Sequence, residues 1–90
     1  MAGQIGEYIS KEKITEWTSL EELSGVTFSD GKKYLIFNNS GATIRYVASD
    51  EADPTYYGTN FSQGEQMLYS LSAGTLYVKG DNFNLSISEV

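Results

Sequence analysis

From Val26 onward apolar and polar residues alternate with a period of two, and the alternation is broken by clusters of Gly, Asn, Asp and Ser. Successive side chains of an extended chain face opposite ways, so this pattern marks strands with one buried face. Val26-Thr27-Phe28 runs into Ser29-Asp30-Gly31-Lys32, and Asp-Gly between apolar runs predicts a hairpin into Lys33–Phe37. Asn38-Asn39-Ser40-Gly41 tolerates left-handed backbone, which predicts a second hairpin into 42–48, with Ile44, Tyr46 and Ala48 on one face. Later segments repeat the theme. Met67, Tyr69 and Leu71 share a face, Ser72-Ala73-Gly74 turns, and Leu76 and Val78 share the next face. Gly80-Asp81-Asn82 turns again, and Phe83, Leu85 and Ile87 alternate with Asn84, Ser86 and Ser88.

The first 25 residues admit two readings. Ser19-Leu20-Glu21-Glu22 fits a capping box, in which the Ser hydroxyl accepts from the amide three residues on, so Ser19–Ser24 predicts one helical turn before Gly25. Ile14, Glu16 and Thr18 alternate with Thr15 and Trp17, which fits a short strand equally well. The expected fold is all-β, a small antiparallel β-sandwich or barrel with room for one short N-terminal helical turn. Residues 1–24 are expected to form an N-terminal strand or short helix, partly mobile, ahead of an antiparallel core over 25–90, in a single domain.

Composition narrows the chemistry. The 90 residues include no Cys and no His. That removes disulfides, Cys/His zinc sites, imidazole-based nucleophile activation and an imidazole pH switch. Six Lys+Arg against twelve Asp+Glu give a net charge of −6. Proteins that grip nucleic acid do so by neutralising phosphates with clustered cations, so neither nucleic acid nor an anionic membrane surface is an expected partner. The longest apolar run, Tyr34-Leu35-Ile36-Phe37, is far shorter than the roughly 20 residues of a membrane-spanning helix. Met1–Glu7 lacks the basic-then-apolar order of a secretory signal, and synthesis in a cytosol without a signal peptide is expected.

Candidate functional residues gather in the connection 49–65, longer than an ordinary hairpin loop. It carries Asp50, Glu51 and Asp53, then Pro54, Tyr56, Tyr57, Asn60 and Phe61. The carboxylate spacing does not fit a D-x-[DN]-x-[DN]-G calcium loop, and no metal or cofactor is expected. A carboxylate pair for glycoside hydrolysis needs rigid support across a cleft, which one loop does not supply, so no catalytic residue is expected either. Tyr56, Tyr57, Phe61 and Trp17 are the aromatics outside the obvious strand faces, able to anchor an interface, the paired tyrosines best of all, while for Phe61 and Trp17 the alternative is to close the ends of the core. Trp17, Asp50, Glu51, Asp53, Tyr56, Tyr57, Asn60 and Phe61 are thus the candidate interaction surface.

Gly31-Lys32-Lys33-Tyr34-Leu35-Ile36-Phe37-Asn38-Asn39 followed by Ile44-Arg45-Tyr46-Val47 resembles a pair of strands, G-x-x-Y-x-I-x-N and I-x-Y-V, found in small β-rich structural proteins of tailed bacteriophages and prophages. A proline-containing loop, a G-E-Q entry at Gly64-Glu65-Gln66 and a G-x-L-Y-V-K strand at Gly74–Lys79 follow in the same order, so the resemblance covers about residues 25–90. It implies a non-enzymatic virion component of the head, head-tail region or tail fibre, made in the bacterial host cytoplasm. The implied partners are other virion proteins and further copies of the chain, a homo-oligomer with a trimer among the options. Two other readings of the residues stay open: a carbohydrate-binding or adhesion module using the loop aromatics, and an acidic inhibitor or regulator of a host protein.

Overall fold

The computed structural model describes residues 3–51 and 54–90. Among them are eight strands: β1 Gly3–Ser10, β2 Ile14–Ser19, β3 Lys33–Asn38, β4 Ile44–Ser49, β5 Thr59–Phe61, β6 Gln66–Ser70, β7 Thr75–Gly80 and β8 Phe83–Glu89. One short helix, α1 Leu20–Ser24, follows β2, and a single 3-10 turn at Leu71–Ala73 follows β6. The strands form two four-stranded antiparallel sheets, ordered β1-β8-β3-β6 and β2-β7-β4-β5. The first strand pairs with the last, the second with the seventh, the third with the sixth and the fourth with the fifth. The chain is therefore doubled back on itself at the β4–β5 connection, and the doubled ribbon is rolled until β3 meets β8 and β4 meets β7. This is the jelly-roll order, two Greek keys in eight strands.

That order corrects the two predicted hairpins. The strands at 33–38 and 44–49 form, but they lie in different sheets, and Asn38–Thr43 carries the chain across the sandwich instead of turning it back. No positive φ is used over 38–41. Side chains shape that crossing. Asn38, fully buried, donates from Nδ2 to the Phe61 carbonyl at 2.7 Å and accepts the Ser40 amide on Oδ1 at 2.9 Å. Ser40 Oγ in turn accepts the Asn84 amide at 2.8 Å, so three strands converge on one satisfied polar knot. Alternation reports burial, and burial by a facing sheet looks the same in sequence as burial beside a hairpin partner.

The Asp30-Gly31 turn also forms, without a strand before it. Phe28 instead plugs the core, with its ring 4.8 Å from Tyr34 and 5.0 Å from Tyr69, both edge-on. The backbone there bonds to side chains: the Phe28 amide donates to Glu21 Oε2 and the Ser29 amide to Tyr34 Oη. At the N-terminus both readings hold in succession. Strand β2 ends at Ser19, whose Oγ caps α1 by accepting from the Glu22 amide, and Gly25 closes the helix at φ 76° with its N–H on the Glu21 carbonyl. Strand β1, which the alternation did not announce, pairs along β8 from Gly3 to Ser10.

The core is the shared interior of the two sheets. Tyr34, Ile36, Tyr69, Phe83, Leu85 and Ile87 enter from one, Ile44, Phe61, Leu76 and Val78 from the other, with Leu20 of α1 and Phe28 filling the ends. The inward faces predicted for β4, β6, β7 and β8 are those observed.

Candidate interaction surfaces

Each sheet also has an outer face, and the two are finished differently. On the β1-β8-β3-β6 sheet the outward positions of β3 are Lys33, Leu35 and Phe37, because Tyr34, Ile36 and Asn38 point inward. Leu35 stands directly opposite Leu68 of β6, and Phe37 opposite Ser86 of β8. On the far side of β8, Ile5 and Ile9 of β1 also point out, 45% and 62% exposed, and Leu68 is 60% exposed. Between these two apolar ridges β8 presents only Asn84, Ser86 and Ser88, which leaves a shallow furrow of small polar side chains. Of the six large apolar side chains exposed among the described residues, Ile5, Ile9 and Leu68 lie on this sheet, and Val90 follows its β8 directly.

The outer face of the β2-β7-β4-β5 sheet is roofed by its own chain. Trp17 leaves β2 where the register with β7 is irregular, between Ile14 and Thr18, and its indole N–H donates to the Tyr56 carbonyl at 3.0 Å. Gly58, at φ 84°, runs directly against that ring: a Cβ there would sit 2.5 Å from Trp17 Cη2 and 2.8 Å from the Tyr46 carbonyl. Only glycine fits both the conformation and the contact. Tyr77 of β7 donates from Oη to the Glu51 carbonyl at 2.9 Å, and Tyr56 donates to Glu51 Oε1 at 3.2 Å. Two cations complete the layer. The Arg45 guanidinium lies 4.4 Å from the Tyr57 ring centre and the Lys79 ammonium 4.5 Å from that of Trp17.

Trp17, Glu51, Tyr56 and Tyr57 are thus brought together, with Tyr57 the most open of the three aromatics at 73% exposure. Asn60 is exposed on β5 opposite Arg45, and Asp50 is exposed at the start of the connection. Asp53 lies outside the described residues. Phe61 is corrected: it is 2% exposed, packed edge-on against Tyr46 at 5.4 Å, and belongs to the core. Its place follows from β5 alternation, which turns Asn60 out and Phe61 in.

Sequence reading missed the cations Arg45 and Lys79 and the whole apolar face. One signal for the latter was present: Tyr34-Leu35-Ile36-Phe37 is apolar at every position, and a strand with one solvated face alternates. Compared with known proteins, the chain matches no family model, no curated protein and no solved structure.

Proposed function

We propose that the protein is a non-enzymatic structural subunit of a phage or prophage particle, which associates with further copies of itself through the outer face of the β1-β8-β3-β6 sheet and, so assembled, docks on other virion proteins. The observation that carries the association is the uncovered apolar face formed by Leu35, Phe37 and Leu68 on one side of the β8 furrow and Ile5 and Ile9 on the other. Exposed apolar ground of this kind, rimmed by polar residues, is characteristic of interaction sites.

A second copy suits the face in three respects. The molecule measures 33 × 27 × 20 Å, so a broad side offers area on the scale of a standard interface, about 800 Å² per partner. The ridges of one copy find a complementary furrow, lined by Ser86 and Ser88, on the other. Register places Glu7 beside Ser86 on one side of the furrow and Lys33 at the start of β3 on the other. A two-fold axis lying in the interface and crossing the furrow near Ser88 sets each Glu7 against the other copy's Lys33, the self-complementarity that symmetric contacts require. The virion assignment draws its support from the sequence resemblance and from the jelly-roll order, which viral capsid proteins use, though lectins and cupins share it.

Sedimentation over a micromolar concentration range tests the self-association in this proposal. The wild-type chain is expected to associate and Leu68→Glu to stay monomeric with its fold intact; a wild-type chain that is monomeric throughout, or association unchanged by Leu68→Glu, refutes it.

A further inference from the structure

Lys13, Arg45 and Lys79, half of the six cations in a chain of net charge −6, line one open cleft of about 330 Å³ on the roofed sheet. Thr15, Thr43, Ile44 and Gly80 also contribute to its lining. Arg45 and Lys79 are direct partners across the β4–β7 ladder. Like charges opposed across a ladder cost stability, and a net-acidic chain has carboxylates enough to separate them. Yet among the described residues the one ion pair is Lys32–Glu89, elsewhere in the molecule. The head groups are held by aromatic rings instead, Arg45 by Tyr57 and Lys79 by Trp17. A ring orients a cation through its quadrupole and leaves the positive charge unneutralised. Such a local conflict, kept in place by dedicated contacts, is what a binding site looks like from the side of the folding energetics.

We infer that this cleft binds a phosphate group. A guanidinium presents paired N–H donors to two anionic oxygens, and ammonium groups supply adjustable point charges, so Arg45 sharing one cleft with Lys13 and Lys79 suits a dianionic, several-oxygen group. The cleft is at the small end of ligand pockets and larger than the ion alone, with room for a sugar-sized body beside the phosphate. The site lies on the sheet opposite to the association face and does not depend on it.

The test is a titration of the ¹⁵N-labelled full chain, followed by NMR, with inorganic phosphate, glucose 6-phosphate and uncharged glucose. Saturable shifts are expected at the amides of Thr15, Thr43 and Gly80 and at the Trp17 indole N–H with the phosphates and not with glucose. A glucose 6-phosphate affinity tenfold or more above that of inorganic phosphate identifies a carried phosphate, and equal affinities the free ion. Lys13→Gln and Lys79→Gln are each expected to weaken binding about tenfold without lowering the melting temperature, while the control Lys11→Gln, outside the cleft and the association face, leaves binding unchanged. Shifts that do not saturate, that are scattered over all lysines, or that are reduced as much by Lys11→Gln overturn the inference. Lys13 touches neither ring, so its variant remains a fair test even if Lys79→Gln disturbs Trp17.

Discussion

The outer face of β1-β8-β3-β6 leaves Ile5, Ile9 and Leu68 open to solvent, while Trp17, Tyr56 and Tyr57 lie over the outer side of β2-β7-β4-β5. Both sheets have four antiparallel strands and feed the same core. The difference comes from connectivity. The doubled-back ribbon has its long free tip at the β4–β5 connection, which belongs to the second sheet and can fold down over it through the Trp17–Tyr56 and Tyr77–Glu51 hydrogen bonds. The first sheet has no comparable segment beside it among the described residues. Its apolar outward positions Ile5, Ile9 and Leu68 therefore stay exposed.

Changing one face at a time should separate assembly from stability. The largest effect is expected from charge on the bare face. Leu68→Glu should weaken self-association about 100-fold, since a Leu anchor contributes roughly 2 kcal/mol on burial and a carboxylate in its place adds an unpaired buried charge. Tyr57→Glu on the other face should leave the sedimentation profile as it is. Crowding the roofed face does the reverse: Gly58→Ala puts a Cβ into the Trp17 ring at a positive φ, and unfolding in urea should show a loss of about 2–3 kcal/mol with association retained in the folded fraction.

A smaller effect lies in the core both faces share. The Tyr69 phenol donates to the Gly74 carbonyl, and burial, reinforced by the nearby Glu21 carboxylate, pushes its pKa from 10.0 up to about 12. An acid whose folded pKa is raised keeps its full contribution below pH 10 and loses it as pH climbs from 10 to 12, because there the folded state holds a proton that the unfolded chain has released. Stability should fall across that window by on the order of 2 kcal/mol from this group, and Tyr69→Phe should flatten that part of the profile, read by chemical denaturation at each pH. The smallest effect is expected at the Lys32–Glu89 pair, 3.2 Å apart with Lys32 half exposed. Lys32→Gln should shift stability by less than about 0.5 kcal/mol, and the difference should vanish at high salt.

Much of the secondary structure was legible because alternation, caps and turn residues are local. Ser19 and Gly25 bound α1 as their chemistry predicts, and β3, β4, β6, β7 and β8 stand where period-two patterning puts them. Strand β1 escaped notice because its outward side carries Ile5 and Ile9, which blurs the contrast between faces. In the candidate surface, Trp17, Tyr56 and Tyr57 were found as aromatics without an obvious strand face. Of the two readings of Phe61 the core-closing one holds, and its place in the interaction surface falls because so short a strand shows too little alternation to choose between them.

By itself the sequence determined an all-β chain, its inward residues and the absence of thiol and imidazole chemistry, since each depends on residue type or on neighbours a few positions apart. Pairing was decided only in three dimensions. Whether Asn38–Thr43 returns to its own sheet or crosses to the other depends on Asn38 reaching Phe61 and Ser40 reaching Asn84, contacts 23 and 44 residues away along the chain. That choice sets which sheet the β4–β5 connection can roof, which face stays bare, and how Arg45 and Lys79, 34 positions apart, come to stand side by side.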